Sequence, residues 1–355
     1  MATHKNNPPR QPRPVTKHDP RWSGPPSEGG RPWGQSGEGR RPAGAPSGPA
    51  RPDKTGAAHP AAGPPPITAA PGHEIVYGRN PVREALRGRR SVFRLWLAAE
   101  GARGAAHTAL PPAAKPRPVG AARVQEELRA AAASAGRPLP PLSMLPADIL
   151  EQLAGSPDHQ GVAAEVEVFT YRDAGEILAN ATLILALDRV QDPHNLGAII
   201  RTAEAAGATV VIPRHRAAEV TPAVVKASAG ASEHVEIARV RNLADFMAQA
   251  KQAGFWVYGT AAGARQGYSA PDYRDRTVFV LGSEGEGLGR RVEQACDQLI
   301  SIPLQGRVGS LNVSVSAGIV LYEAVRQREA AVRAAAASPG AGDSVTSDVP
   351  GQDAP

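Results

Sequence analysis

The chain has one cysteine, Cys296, in 355 residues. A single thiol excludes an internal disulfide framework and any zinc centre built on cysteines. Its setting, Val292-Glu293-Gln294-Ala295-Cys296, reads as helical and makes it a small buried residue. Nine histidines are scattered without metal-ligand spacing, so no metal is expected. No uninterrupted apolar run is long enough to cross a membrane. The N-terminus lacks the apolar core of a secretory signal. It is rich in arginine and poor in acids, like a transit peptide, but its proline and glycine oppose an amphipathic helix. The expected location is the cytoplasm. There is no Gly-x-Ser-x-Gly elbow, so nucleophilic hydrolysis through His194 beside Asp192 is a poor fit.

What is present is unevenly spread. Much of the excess of glycine (37) and proline (35) lies in Met1 to Pro71. That stretch cannot bury enough apolar surface to offset its ordering entropy, so residues 1–72 read as a disordered arm. Arg10, Arg13, Arg40, Arg41 and further cations outnumber its acids. A flexible basic arm suits a polyanion partner, and a solubilising tail is the alternative.

The remaining length suits two domains. Residues 73–169 read as a small α/β domain. Ile75-Val76-Tyr77 feeds a helix with Asn80 as N-cap and Pro81 at its first position. Val92 to Leu97 is a strand, 101–118 a loop insertion, and Val124 to Ala135 a helix ending at Gly136. Pro146 to Leu153 is a short helix and Gly161 to Val168 a strand. Residues 170–180 form a linker. In 181–330, Leu183 to Leu187, Thr209 to Ile212, Val235 to Ile237, Trp256 to Tyr258, Val278 to Leu281 and Leu299 to Ile302 read as strands. Helices between most of them imply a parallel sheet covered on both faces. Residues 331–355 read as a frayed helix and a loose tail.

Three motifs carry the chemistry. The first is Gln191-Asp192-Pro193-His194-Asn195-Leu196-Gly197-Ala198-Ile199-Ile200-Arg201-Thr202-Ala203. Asn195 is a good N-cap, and Leu196, Ile199, Ile200 and Ala203 form the buried stripe. Arg201 projects off that stripe near the helix start, where amides and a guanidinium together hold an anion. The competing reading is a surface arginine paired with Glu204. The second motif, Leu281-Gly282-Ser283-Glu284-Gly285-Glu286-Gly287-Leu288, ends a buried strand with glycines that let a ligand approach the backbone. It is neither a Gly-x-Gly-x-x-Gly nor a Walker loop. The third is Ile302-Pro303-Leu304-Gln305-Gly306, followed by Ser310-Leu311-Asn312-Val313-Ser314-Val315-Ser316. Ser310 and Asn312 stand at the mouth of a long helix expected to bury Val315, Ile319 and Tyr322.

In this order the motifs resemble the signature of the SpoU family of RNA 2′-O-methyltransferases, within the SPOUT superfamily, from about Leu183 to Arg328. The resemblance implies a parallel-sheet domain tied in a deep trefoil knot, a homodimer, and S-adenosylmethionine as methyl donor. It implies that Gly282, Ile302 and Leu311 contact that cofactor, largely through backbone. Asn195, Arg201, Glu284, Ser310 and Asn312 match the family's active-site residues. For Arg201 the roles of proton acceptor, phosphate clamp and alkoxide stabiliser stay open, although a guanidinium is a very weak acid. Tyr77 to Leu86 and His159 to Val162 resemble the ribosomal-protein-like RNA-binding domain that precedes many SpoU catalytic domains. Arg79, Arg83 and Arg87 are then phosphate contacts, against the alternative of an ordinary solvated face. Such a domain favours a guanosine of 23S rRNA as substrate. A tRNA ribose, or a non-catalytic ribosome-associated RNA-binding role, is the alternative.

Phosphate contacts are salt-sensitive and carry no sequence information. Deleting residues 1–71 is therefore expected to weaken RNA binding mainly at low salt and to leave the methylated nucleotide unchanged. Methylation mapping at two salt concentrations checks this; a change of site would make the arm a selector.

Overall fold

The computed structural model describes residues 68–99, 120–283 and 285–337. The expected arm up to residue 67, the loop insertion over 101–118, Glu284 and the tail beyond 337 lie outside the described residues.

The first sheet is built from β1 (His73–Tyr77), β2 (Val92–Ala98), β3 (Leu142–Leu145) and β4 (Val162–Glu167) in the order β1-β4-β2-β3. β4 runs antiparallel to both β1 and β2, and β3 lies parallel to β2. Helices α1 (Arg79–Arg87) and α2 (Ala121–Ser134) bury Val82, Leu86, Val124 and Leu128 with Val76, Leu95 and Leu97 of the sheet. Helix α3 (Ala147–Ala154) puts Leu150 with Tyr77, Trp96 and Ala163 in a separate cluster. The start of α1 departs from expectation. Gly78, at φ 97°, is the cap, so Asn80 and Pro81 lie inside the first turn. Proline is tolerated there because first-turn N–H groups have no helical partner. The short strand β3 follows prolines 138, 140 and 141, which hide it from a pattern reading.

The expected linker contains helix α4 (Ala174–Asn180). Asp173 caps it by accepting from the backbone of Gly175 and Glu176, and Ile177 and Leu178 are buried.

The second sheet holds β5 (Leu183–Leu187), β6 (Thr209–Pro213), β7 (Ile237–Val240), β8 (Trp256–Thr260), β9 (Gln266–Gly267), β10 (Thr277–Leu281) and β11 (Gln298–Ser301). Its order is β7-β6-β5-β10-β8-β11-β9, parallel throughout. The central strands read LILAL and TVFVL because both faces are covered. Leu183, Leu185, Leu187 and Phe279 face α5 (Pro193–Ala205), α6 (Pro222–Ala227) and α9 (Val313–Ala337). Ile184, Ala186, Val278 and Val280 face α4, α7 (Leu243–Gln252) and α8 (Arg290–Ala295).

Helix α9 corrects one expectation. It runs on to Ala337, and its buried stripe is Val313, Ala317, Val320, Leu321 and Ala324. Val315 and Tyr322 are each 50% exposed, with Ile319 only partly covered between them. The helix carries two apolar stripes, and the small residues of one let it lie close against the sheet while the other faces outward. Cys296 is half-buried just after α8; its thiol donates to the Val292 carbonyl, and burial pushes its pKa up to about 12. Among the described residues no helix is long and apolar enough to cross a membrane, and no cluster of His, Cys, Asp or Glu could hold a metal ion.

The two sheets are locked together by an arginine. Arg90 is 8% exposed and forks onto Glu233, whose side chain is wholly buried. It also reaches Glu74 and the Glu167 carbonyl. Burial opposes its charge, but the two carboxylates outweigh that and raise its pKa. Arg89 extends the seam through Glu236 and the Val235 carbonyl. At Gly230, φ 89°, a Cβ would lie 2.7 Å from Glu84 Cβ, so α1 abuts this turn. Removing one partner of a buried ion pair strands the other charge. Arg90→Ala is expected to cost about 3–5 kcal/mol of stability, read as a lower denaturant midpoint. A midpoint equal to that of the parent chain would show the pair to be dispensable.

Candidate active site

The site lies at the C-terminal edge of the second sheet, where parallel strands leave room for ligands. The chain leaving β10 turns back across its own root. Ser283 and Gly287 form a bridge, with Gly287 N donating to Ser283 O at 3.0 Å. A Cβ on Gly282 would sit 2.1 Å from the Gly287 carbonyl carbon, so only glycine fits. The exit of β5 clamps this loop from the other side. Asp188 Oδ2 accepts from Gly289 N at 2.7 Å. Arg189, at φ 62°, donates to Glu286 at 2.6 Å and to the Gly287 carbonyl at 3.1 Å.

Beside this loop, the segment from β11 to α9 encloses a cavity of about 210 Å³. Gly282, Ile302, Ser310 and Leu311, singled out separately in the sequence, all line it. Leu281, Ile300 and Leu304 add apolar walls, Thr260 and Ser283 add hydroxyls, and the glycines expose backbone amides. This donor set fits S-adenosylmethionine: apolar walls for a flat base, short polar groups for a ribose, and bare backbone for close approach. A second, more polar cleft of about 560 Å³ shares Ser283 and Val313 with it. Arg189, Asp192, Asn195, Arg216 and Glu286 line that cleft.

The first and third motifs meet directly. Asn312 Nδ2 donates to Asn195 Oδ1 at 2.9 Å. Asn312 Oδ1 accepts from the Ser314 backbone N–H and hydroxyl, which fixes the amide's orientation. Asn195 is not the helix cap. Asp192 fills that place by accepting from the backbone of His194 and Asn195, with Pro193 opening α5. Pro193 sets the first helical position and so makes Asp192 the cap, while the Asn195 side chain reaches across to α9. His194 is exposed.

Arg201 is not brought to either cavity of its own chain. It lies eight residues into α5, roughly 12 Å along the axis, and is exposed. Among the described residues neither Glu204 nor any other carboxylate pairs with it. Its neighbour Thr202 packs beside Gly318 of α9. Glu284 lies outside the described residues.

In the first domain the three expected phosphate contacts are engaged with carboxylates. Arg79 bonds both oxygens of Glu127, one at 2.6 Å. Arg83 and Arg87 share Glu84, at 2.9 and 3.2 Å, and His234 joins the same carboxylate at 3.0 Å. Burial of Glu84 would raise its pKa, but these donors outweigh it and hold the carboxyl below its ordinary value.

Sequence reasoning passed over Asp188, Arg189 and Arg216. The signal for the first two was their place between a buried strand and the first motif. Nothing in the composition announces the left-handed backbone at Arg189 or Arg216.

Comparison with known proteins places both domains in known families. Residues 182–322 match the SpoU rRNA Methylase family, and residues 75–172 match the RNA 2′-O ribose methyltransferase substrate binding family. YacO of Bacillus subtilis, which carries a TrmH family tRNA/rRNA methyltransferase name, is 38% identical over 263 residues, 72% of this chain and 96% of that protein. The 23S rRNA (guanosine-2′-O-)-methyltransferase RlmB of Ralstonia nicotianae is 44% identical over 213 residues, 58% of this chain and 83% of that protein. Among solved structures, the SpoU methyltransferase AviRb of Streptomyces viridochromogenes in complex with AdoMet superposes with a TM-score of 0.57 at 26% identity, covering 73% of this chain and 92% of that one. Matching motifs, matching fold and two family matches in tandem lead to one conclusion: the chain belongs to the SpoU, or TrmH-like, family of RNA 2′-O-methyltransferases.

Proposed function

We propose that the chain transfers a methyl group from S-adenosylmethionine to a ribose 2′-oxygen, and that the substrate is a guanosine of 23S rRNA in the cytoplasm. The observation that carries the reading is the cavity where Gly282, Ile302, Ser310 and Leu311 meet, joined to the polar cleft that holds Asn195. The bound cofactor supplies a methyl group already activated by its sulfonium. The chain's residues supply orientation and electrostatics. The walls of the smaller cavity hold the donor, while the Asn195–Asn312 pair fixes one side of the cleft. Arg189 and Arg216 favour an anionic ribose-phosphate there. The rRNA preference is supported by the likeness to RlmB and by the match of 75–172 to a substrate-binding family. Arg83 and Arg87, 36% and 40% exposed, would exchange Glu84 for phosphate.

The active form is proposed to be a homodimer. The outward stripe of Val315, Ile319 and Tyr322 gives two copies a self-complementary apolar contact. Thr202, next to Arg201 in α5, packs beside Gly318 of α9, and pairing of two copies through that stripe would carry Arg201 to the partner's cleft as a phosphate or alkoxide clamp. A trefoil knot is proposed with it. It would form where α9, after the 302–312 loop, runs back to the roots of β5 and β10, reached by Arg328 at Thr182 and Asp275.

Two experiments test the reading. Mapping 2′-O-methylation in rRNA and tRNA from cells with and without the protein should reveal one lost guanosine mark in 23S rRNA. A lost tRNA mark would move the substrate, and no lost mark would favour a non-catalytic role. Separately, Arg201→Ala should leave thermal unfolding and S-adenosylmethionine affinity intact while lowering turnover on the order of 10²- to 10³-fold. Full turnover per folded molecule would remove Arg201 from the chemistry.

A further inference from the structure

Three arginines stand on loops leaving the C-terminal ends of the outer strands. Arg214 and Arg216 follow β6, and Arg241 follows β7. Arg214 N donates to the Val240 carbonyl at 2.8 Å, which fixes the two loops side by side. All three arginines are exposed, and among the described residues none is ion-paired. This differs from Arg79, Arg83, Arg87, Arg89 and Arg90, each of which holds a carboxylate.

Arg214 and Arg241 line a cleft of about 600 Å³ together with Arg172 and Arg239. Arg239 is held in place, stacked 4.7 Å over Tyr171 and paired with Glu219 at 2.7 Å. Of the cleft's two carboxylates, Asp173 is committed to capping α4, which leaves Asp245 alone against the free guanidinium groups. Arg216 lines the polar cleft beside Asn195. The cationic line therefore begins at the reaction site and continues along one sheet edge. From β5 to β7 is two strand spacings, roughly 10 Å. None of the large apolar side chains exposed among the described residues lies on this edge, which disfavours a protein partner.

We infer that Arg216, Arg214 and Arg241 form a track for the phosphates flanking the reacting ribose. The RNA backbone lies across the ends of β5, β6 and β7, away from the cofactor cavity. Guanidinium groups without internal partners bind phosphate without first losing a carboxylate. The inference rests on the RNA methyltransferase reading for the identity of its ligand.

The test uses the full-length protein and an unmodified 23S rRNA transcript. The variants are the double substitutions R214A/R241A and R214E/R241E. Direct RNA binding is measured across a salt series, beside methylation kinetics, calorimetry with S-adenosylmethionine, and thermal unfolding. The alanine pair should raise KM for RNA about tenfold or more, with kcat at saturating RNA nearly kept. It should flatten the log–log salt dependence of binding by about two, one for each lost phosphate contact. The glutamate pair should bind more weakly still, and cofactor affinity should not move. Folded variants with parental RNA affinity and salt slope would overturn the track, whether or not the parent methylates. A parent that binds the transcript through these arginines without methylating it would keep the track and overturn the enzyme reading.

Discussion

The site depends on a backbone touching a backbone. The loop after β10 can recross its root only because position 282 has no side chain, and Gly282, Ser283, Gly285 and Gly287 of that loop line the proposed cofactor cavity. The Gly287 N–H closes the loop on Ser283, and hydrogen bonds of Gly289 to Asp188 and of Arg189 to Gly287 hold it against the exit of β5. Glycine backbone and the side chains of Leu281, Ile300 and Leu304 wall the cavity together. A side chain at position 282 would meet backbone at 2.1 to 2.4 Å, which no rotamer change can relieve.

Charge is distributed with the same division of labour. The chain is basic, with a formal net charge of +6, yet much of its arginine is spent internally. Arg90 is buried between two carboxylates, and Arg276 is folded over Phe255 with its donors on four carbonyls. Arg328 likewise ties the long helix to the roots of the central strands. Counting cations in such a chain says little about where an anion will bind. Which of them lack internal partners says much more.

The sequence made the sheet and the motifs legible because both are local. Leu183 to Leu187 and Thr277 to Leu281 read as buried strands from their apolar runs alone, and the glycines of the second motif declared a close approach. The pieces that escaped are long-range. Arg79, Arg83 and Arg87 share a helix with no acid in its sequence except Glu84, and the partner Glu127 is 48 residues away. Asn195 looked like a cap because Asp192 could be assigned that role only once Pro193 was seen to open the helix. The two stripes of α9 are equally apolar in sequence. Only the position of the sheet decides which is core, and the family resemblance, not periodicity, carried the roles of Ser310 and Asn312.

The seam between the sheets has a mechanical consequence. Arg90 and Glu233 join the first domain to the turn before β7, while the catalytic edge begins one strand further in. A hinge placed there would have to expose a buried ion pair, which opposes separation of the two sheets. The spacing between the first domain and the parallel sheet is thus set by a charge pair and not by the length of the connecting chain.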